Sequence, residues 1–455
     1  MERQVDALMD GLRADLERLA AIPSIAFPGH PPEPVEEAHD LVVSLLREAG
    51  VATVERLDLP DTAPVVYGVI PPPEPDAPTV LLYGHYDVQP AGDPALWHSP
   101  PFEPTPVPGG LRARGIADDK SNVIAHLGML RLYGGRPPVG IKLVIEGQEE
   151  YGSAFDAYPP TDPARFACDA IVIGDLGNLR PGTPTLTTGT RGAAEVTVEV
   201  RTLAEPRHSG EFGGAAPDAL LVLLHALSTL HDANGDVAVP GLRREPWAEA
   251  TYTEEEFRDL ASIPDDLPLL GTGSLGERLW SGPAITVIGL DAPAVDQAAS
   301  AVVPYARARL NLRFHPHQDP GEAQARLVGH LRAQRPFGIP LTVTPGDTGP
   351  GFETPTGGPA YRAALTALQE AWGTPASYVA TGGSIPLVKG LAEAAPQAEV
   401  LLFGAQDSMC NLHAPNERVL LSELRNTVVA LAAFVREYAA DYRAAVGGPA
   451  DGGPA

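Results

Sequence analysis

The sequence predicts an α/β fold: a central mixed, largely parallel sheet, in a domain interrupted by an inserted α+β domain. Three observations carry that expectation. Apolar strand-like runs alternate with helical patterns up to about residue 187. Three of those strands run into a histidine or an acid at their carboxyl ends. The pattern then switches to strict two-residue alternation in RGAAEVTVEVRT (191–202) and resumes its first style after 350.

Helical periodicity opens the chain to about residue 21 and returns over 35–49. VATVERLDL (51–59) and VVYGVI (65–70) read as strands. A proline-rich turn (71–78) leads to TVLLYGHYDV (79–88), an apolar strand that ends in polar chemistry. KSNVIAHLGMLRLYG (120–134) is helical, with apolar residues at i, i+3, i+4 and i+7. IKLVIEGQEE (141–150) and DAIVIGDLG (169–177) are apolar strands that end in acids. In open α/β sheets the site lies beyond the carboxyl ends of the strands.

The inserted stretch reads as strand 191–202, helix 217–231, a polar segment, strands 283–290 and 306–314, helix 321–334 and strand 340–346. That order suggests an antiparallel sheet backed by two helices. Helix 359–372, strand-like VLLFGA (400–405) and helix 421–443 return to the first domain. The expected boundaries are 1–187 and 351–445 for the outer domain, 188–350 for the insertion, and 446–455 for a disordered tail.

The bulk composition narrows the function classes. At 455 residues the chain is too long for one core. It is 44% hydrophobic and 20% charged, as a globular protein is. A net charge of −26 argues against nucleic acid or an anionic membrane surface as partner. No apolar run approaches the roughly 20 residues that span a bilayer. The N-terminal segment lacks the apolar core of a signal peptide. Two cysteines, Cys168 and Cys410, make no disulfide framework, so a cytoplasmic location is expected.

Five positions offer metal ligands: His85 in GHYDVQP, Asp118 in RGIADDKS, Glu150 in EGQEEYGS, Asp175 in IGDLG and His413 in NLHAPNE. Two imidazoles with several carboxylates suit zinc, or manganese as the harder alternative. A carboxylate that bridges two ions lets five ligands serve a two-metal site. A lone histidine at a strand end is more often a core or surface residue. Several buried charges at strand ends, however, are costly unless cations compensate them. Asp87 lies two residues from His85, on the same face of a strand, where it can fix the ring's tautomer. Glu149 beside Glu150 suggests a division of labour, one acid for metal and one to accept a proton. Because neighbouring strand residues face opposite ways, this pair must lie past the regular strand. GTGSLG (271–276) follows no clear strand and is rejected as a dinucleotide loop.

Taken in order, GHYDVQP, RGIADDKS, EGQEEYGS, RHSGEFGG and TGGSIP resemble the M20 family of metallopeptidases, most closely its dipeptidase branch of carnosine dipeptidases and cytosolic nonspecific dipeptidases. The resemblance runs from about residue 15 to 440. It implies a zinc-peptidase-like catalytic domain and an inserted lid and dimerisation domain. It implies one metal on His85, Asp118 and Asp175 and the other on Asp118, Glu150 and His413, with a cis peptide after the bridging Asp118. Asp87 would be the supporting acid and Glu149 the general base. His208 would stabilise the oxyanion in a partner subunit's site, and Arg313, with Gly383 and Ser384, would hold the substrate's terminal carboxylate. Two divalent ions per subunit are implied, zinc first, with manganese or cobalt as alternatives. The expected activity is cleavage of dipeptides or short peptides by a homodimer. An N-acyl or N-carbamoyl amino acid amidase would share every catalytic residue. A metal-binding scaffold is the more distant alternative, and it would need neither Asp87 nor Glu149.

Overall fold

The computed structural model describes residues 1–249, 251–381 and 386–446. The expectations for Gly383, Ser384 and the tail from 447 lie outside these residues. The chain forms two compact units. Met1–Thr188, Thr354–Val379 and the chain from Leu387 make the first, and Gly189–Glu353 with the short stretch from Ala380 makes the second.

In the first unit the strands Gly140–Glu146, Thr79–His85, Ala170–Ile173 and Glu399–Leu402 lie side by side in that order, all parallel. Antiparallel strands Val65–Ile70 and Thr53–Leu57 extend one edge. At the other edge Leu402 pairs antiparallel with Thr187. This is the mixed, largely parallel sheet read from the sequence. Val80, Leu81, Leu82 and Tyr83 are all fully buried. Both faces of that strand are therefore covered, and a continuous apolar run suits it better than an alternating one. The helix Ser121–Leu132 crosses the long C-terminal helix Leu421–Val446 at Gly128. A Cβ there would stand 2.7 Å from Val428 and 2.9 Å from Leu12, so glycine is what lets the backbone come this close.

The second unit is a four-stranded antiparallel sheet in the order Ala284–Asp291, Tyr305–Phe314, Gly192–Arg201, Thr342–Gly349. Val196, Val198, Leu310 and Leu312 on its inner face pack with Val222 and Leu223 of helix Ala219–Leu227 and with Leu327 and Leu331 of helix Pro320–Ala333. The alternation in 191–202 is the direct cause of this one-sided core.

Several elements differ from expectation. The opening helix is two, Glu2–Asp6 and Met9–Ala20. The polar segment holds helix Glu254–Leu260, opened by a capping box in which Thr253 and Glu256 exchange hydrogen bonds. Helix Pro386–Ala394 and the hairpin Thr105–Val107/Gly110–Arg112 were not read at all. Ile116–Lys120 forms a wide turn before the helix at Ser121, closed by Lys120 N–H to the Gly115 carbonyl at 3.2 Å. No helix among the described residues is long and apolar enough to cross a membrane.

Candidate metal centre

Parallel topology gathers the chemistry. Strand Thr79–His85 ends on His85, and its neighbour Gly140–Glu146 runs on into the turn that carries Glu149 and Glu150. Its other neighbour, Ala170–Ile173, ends two residues before Asp175. The wide turn Ile116–Lys120 supplies Asp118, and the loop before strand Arg418–Leu420 supplies His413 at a positive φ of 59°.

The side chains converge. His85 Nε2 lies 3.1 Å from Asp118 Oδ1 and 3.8 Å from Asp175 Oδ1. His413 Nε2 lies 3.0 Å from Asp118 Oδ2 and 3.2 Å from Glu150 Oε2. Asp118 thus turns one oxygen to each imidazole. Donor atoms fall into two groups, each within 4.8 Å: Asp118, Glu150 and His413 in one, His85, Asp119 and Asp175 in the other. The second group contains Asp119 where the sequence suggested Asp118. The Asp119 carboxylate is already engaged, however. Its Oδ2 accepts the His85 backbone N–H at 3.0 Å and its Oδ1 accepts Asn122 Nδ2 at 2.5 Å. Gly84 leaves room for it, since a Cβ there would stand 2.8 Å from Asp119 Oδ2. The Asp118–Asp119 peptide is cis.

Asp87, fully buried, meets His85 Nδ1 twice, with its backbone carbonyl at 3.2 Å and its carboxylate at 3.3 Å. The same carboxylate accepts the backbone N–H groups of Glu149 at 3.0 Å and Glu150 at 3.2 Å. One acid therefore orients a ring and also the turn that carries two more acids. Four further partners were missed from the sequence. Gln89 donates its backbone N–H and its Nε2 to Glu150, at 3.1 and 2.8 Å. Gln406 Nε2 donates to Asp175 at 3.2 Å. Asn122 fixes Asp119, and its Oδ1 accepts the Ala405 N–H at 2.7 Å. Glu417 holds the Asp118 turn through its backbone. Gln89 and Glu417 sit inside the GHYDVQP and NLHAPNE motifs, and that proximity was the only signal available.

Charge balance tests whether cations fit. Burial raises the Asp175 carboxyl, repulsion from Asp118 adds to it, and together they push its pKa up to about 6. Burial, then Asp175, also holds the Glu149 and Asp119 carboxyls well above the carboxylate range. Hydrogen bonds with Asp118 and then Glu150 lift His413 to about 10. Two imidazoles do not balance this many acids. An oxygen-rich cluster with two imidazole nitrogens is a donor set that divalent cations fit.

Residues 81–437 match the peptidase family M20/M25/M40. The chain belongs to this family. It is 38% identical over 411 residues to the cysteinylglycine-S-conjugate dipeptidase of Corynebacterium striatum, covering 89% of this chain and 90% of the relative. It is 29% identical to the human Beta-Ala-His dipeptidase, over 76% of this chain and 72% of that one. Among solved structures, human carnosine dipeptidase 1 superposes with a TM-score of 0.81 at 26% identity, covering 96% of this chain and 98% of that one. Dug1p from Saccharomyces cerevisiae shares the fold at a TM-score of 0.82 and 21% identity, with the same coverage.

In this M20 chain, His208 and Arg313 belong to the second unit. His208 is exposed on the short strand Arg207–His208, and its Nδ1 accepts the Gly210 N–H at 3.1 Å. Three arginines line strand Tyr305–Phe314, with different partners. Arg307 pairs with Asp291 and Arg309 with Glu195. Arg313 is half-buried and donates Nε to the neutral Asn311 Oδ1 at 3.1 Å. The sequence reading passed over Arg191. It is buried, its Nε has no hydrogen-bond partner, and burial together with the charge of Arg313 lowers its pKa to about 10. Arg191 Nη1 donates to the Gly282 carbonyl at 3.4 Å.

Proposed function

We infer that this protein is a metal-dependent dipeptidase that cleaves dipeptides or short peptides bearing a free C-terminal carboxylate. The observation that carries the reading is Asp118 set between His85 and His413, with the carboxylates of Asp175 and Glu150 on either side. His85, Asp118 and Asp175 would hold one ion and Asp118, Glu150 and His413 the other, zinc being the proposed metal. Held by these residues, two divalent ions would supply Lewis acidity toward a carbonyl oxygen and lower the pKa of a water.

The chain's own residues do the rest. Glu149 takes a proton from the attacking water and delivers it to the leaving amine. Asp87 keeps Glu149 in place through its backbone N–H and holds the His85 ring. His208 stabilises the oxyanion, acting in the site of a second subunit that is joined through the inserted unit. Arg313 holds the substrate carboxylate, and Gly383 and Ser384 assist. The names of the relatives support dipeptides over N-acyl or N-carbamoyl amino acids. The two cysteines are free, which suits a cytoplasmic enzyme.

The test is amine release from metal-stripped protein given back zinc or manganese. The panel spans cysteinylglycine conjugates, β-Ala-His, simple dipeptides and N-acyl amino acids. Metal-dependent cleavage of dipeptides is expected, and cleavage of N-acyl amino acids alone would reject the reading. With C-terminal amides of the same dipeptides added to the panel, each dipeptide should outperform its amide. Arg313→Met should raise KM for the acid by about ten- to a hundredfold, because a hydrogen bond to a charged group contributes roughly 1.5–3 kcal/mol. An acid-to-amide preference that survives Arg313→Met would remove this residue from substrate binding.

A further inference from the structure

Glu417 is 1% exposed and lies four residues beyond His413. Its carboxylate accepts four hydrogen bonds from the segment that carries Asp118. Oε1 accepts the N–H groups of Ala117 at 2.9 Å and Asp118 at 3.1 Å. Oε2 accepts the Gly115 N–H and Arg114 Nη1, both at 2.8 Å. The backbone continues the link: Ala113 N–H donates to the Glu417 carbonyl at 3.2 Å, and Arg114 Nη2 donates to the Ala414 carbonyl at 3.2 Å. Beyond it, Arg418 pairs with Arg112 in an antiparallel ladder. Gly115, at φ 72°, helps turn these N–H groups toward one point.

A carboxylate is costly to bury, and this one is not a donor to either group in the cluster. What it does is join two loops nearly 300 positions apart in the chain, one carrying Asp118 and the other His413. The two sides of the cluster differ in how much they depend on that join. His85 is fully buried and is fixed by Asp87 and, through its backbone, by Asp119. The His413 side chain is 56% exposed, and its ring meets the cluster through Asp118 and Glu150.

We propose that Glu417 is a positioning residue that sets the distance between Asp118 and His413 and so presets the ion site those two share with Glu150. The proposal rests on the reading of Asp118 and His413 as metal ligands. Its consequence is unequal. Loss of Glu417 loosens the His413-side site most, while the His85-side site, which shares Asp118 but keeps His85 and Asp175, loses less. Partners that orient metal ligands contribute about 10- to 100-fold in metal affinity.

The experiment is calorimetric titration of zinc into metal-free full-length protein, comparing wild type with Glu417→Ala, Glu417→Gln and His413→Ala. Circular dichroism and the metal-free Tm check the fold of each. The expected result is that Glu417→Ala weakens one of two sites by about 10- to 100-fold. That site should be the one lost in His413→Ala, with the other weakened by clearly less. Glu417→Gln should lose less, since an amide oxygen can still accept from Ala117 and Asp118. Unchanged affinities would overturn the proposal. So would equal weakening of both sites, or failure of both Glu417 variants to fold, because each makes Glu417 a residue of general stability. A wild-type protein that takes up no zinc would overturn the ligand assignment as well, and that outcome is distinct from the others.

Discussion

Glu149→Gln is expected to lower kcat by about 10²- to 10⁴-fold while zinc uptake stays at the wild-type level. The two carboxylates of the EE pair have different surroundings. Glu150 accepts two hydrogen bonds from Gln89 and lies 3.2 Å from His413. Glu149 is tied to Asp87 through its backbone N–H alone, which glutamine keeps. Its side chain is thereby available for proton transfer, and an amide of the same size cannot take the proton. Steady-state kinetics on a cleaved dipeptide, with metal content measured on the same samples, separates the two roles. A kcat within tenfold of wild type would reassign the base, and loss of an ion would make Glu149 a ligand.

Asp118→Ala should have the broader effect, weakening both ions and abolishing measurable cleavage. This follows from the shared geometry, since one carboxylate faces His85 with Oδ1 and His413 with Oδ2. No other single side chain among the described residues meets both imidazoles in this way. Asp119→Ala is the informative control. Its carboxylate serves the His85 backbone and Asn122, so its loss should disturb the His85 side only. Zinc retained per chain after dialysis decides the matter. Two ions kept by Asp118→Ala, with one lost from Asp119→Ala, would transfer the ligand role to Asp119.

The parts of this site that could be read from the sequence share a cause. An apolar strand that stops at a histidine or an acid is visible in one dimension, and a parallel sheet sends such ends to one edge. His85, Glu150 and Asp175 are legible for that reason. The one-sided sheet of the second unit is legible too, because alternation in 191–202 records which face is buried. Residues that act by accepting main-chain N–H groups leave no such periodicity. Glu417, Asn122 and Gln89 became recognisable only when distant segments were brought together. The choice between Asp118 and Asp119 likewise depends on which carboxylate the turn spends on the backbone. Helix Glu254–Leu260 is a different case. Its capping box, Thr253 and Glu256, stands in the sequence, but the segment lacked an apolar stripe to draw attention to it. Arg191 was hidden because it opens the run read as strand 191–202, where an arginine ordinarily reads as exposed.

The unequal exposure of the two histidines has a kinetic corollary. His85 is sealed at 0% exposure, whereas more than half of the His413 side chain faces solvent. On the proposed ligand assignment, an ion on the His413 side would exchange with solvent more readily than one on the His85 side. A chelator added to zinc-loaded protein should therefore draw metal in two phases, the fast one matching loss of cleavage, and a single phase would contradict this.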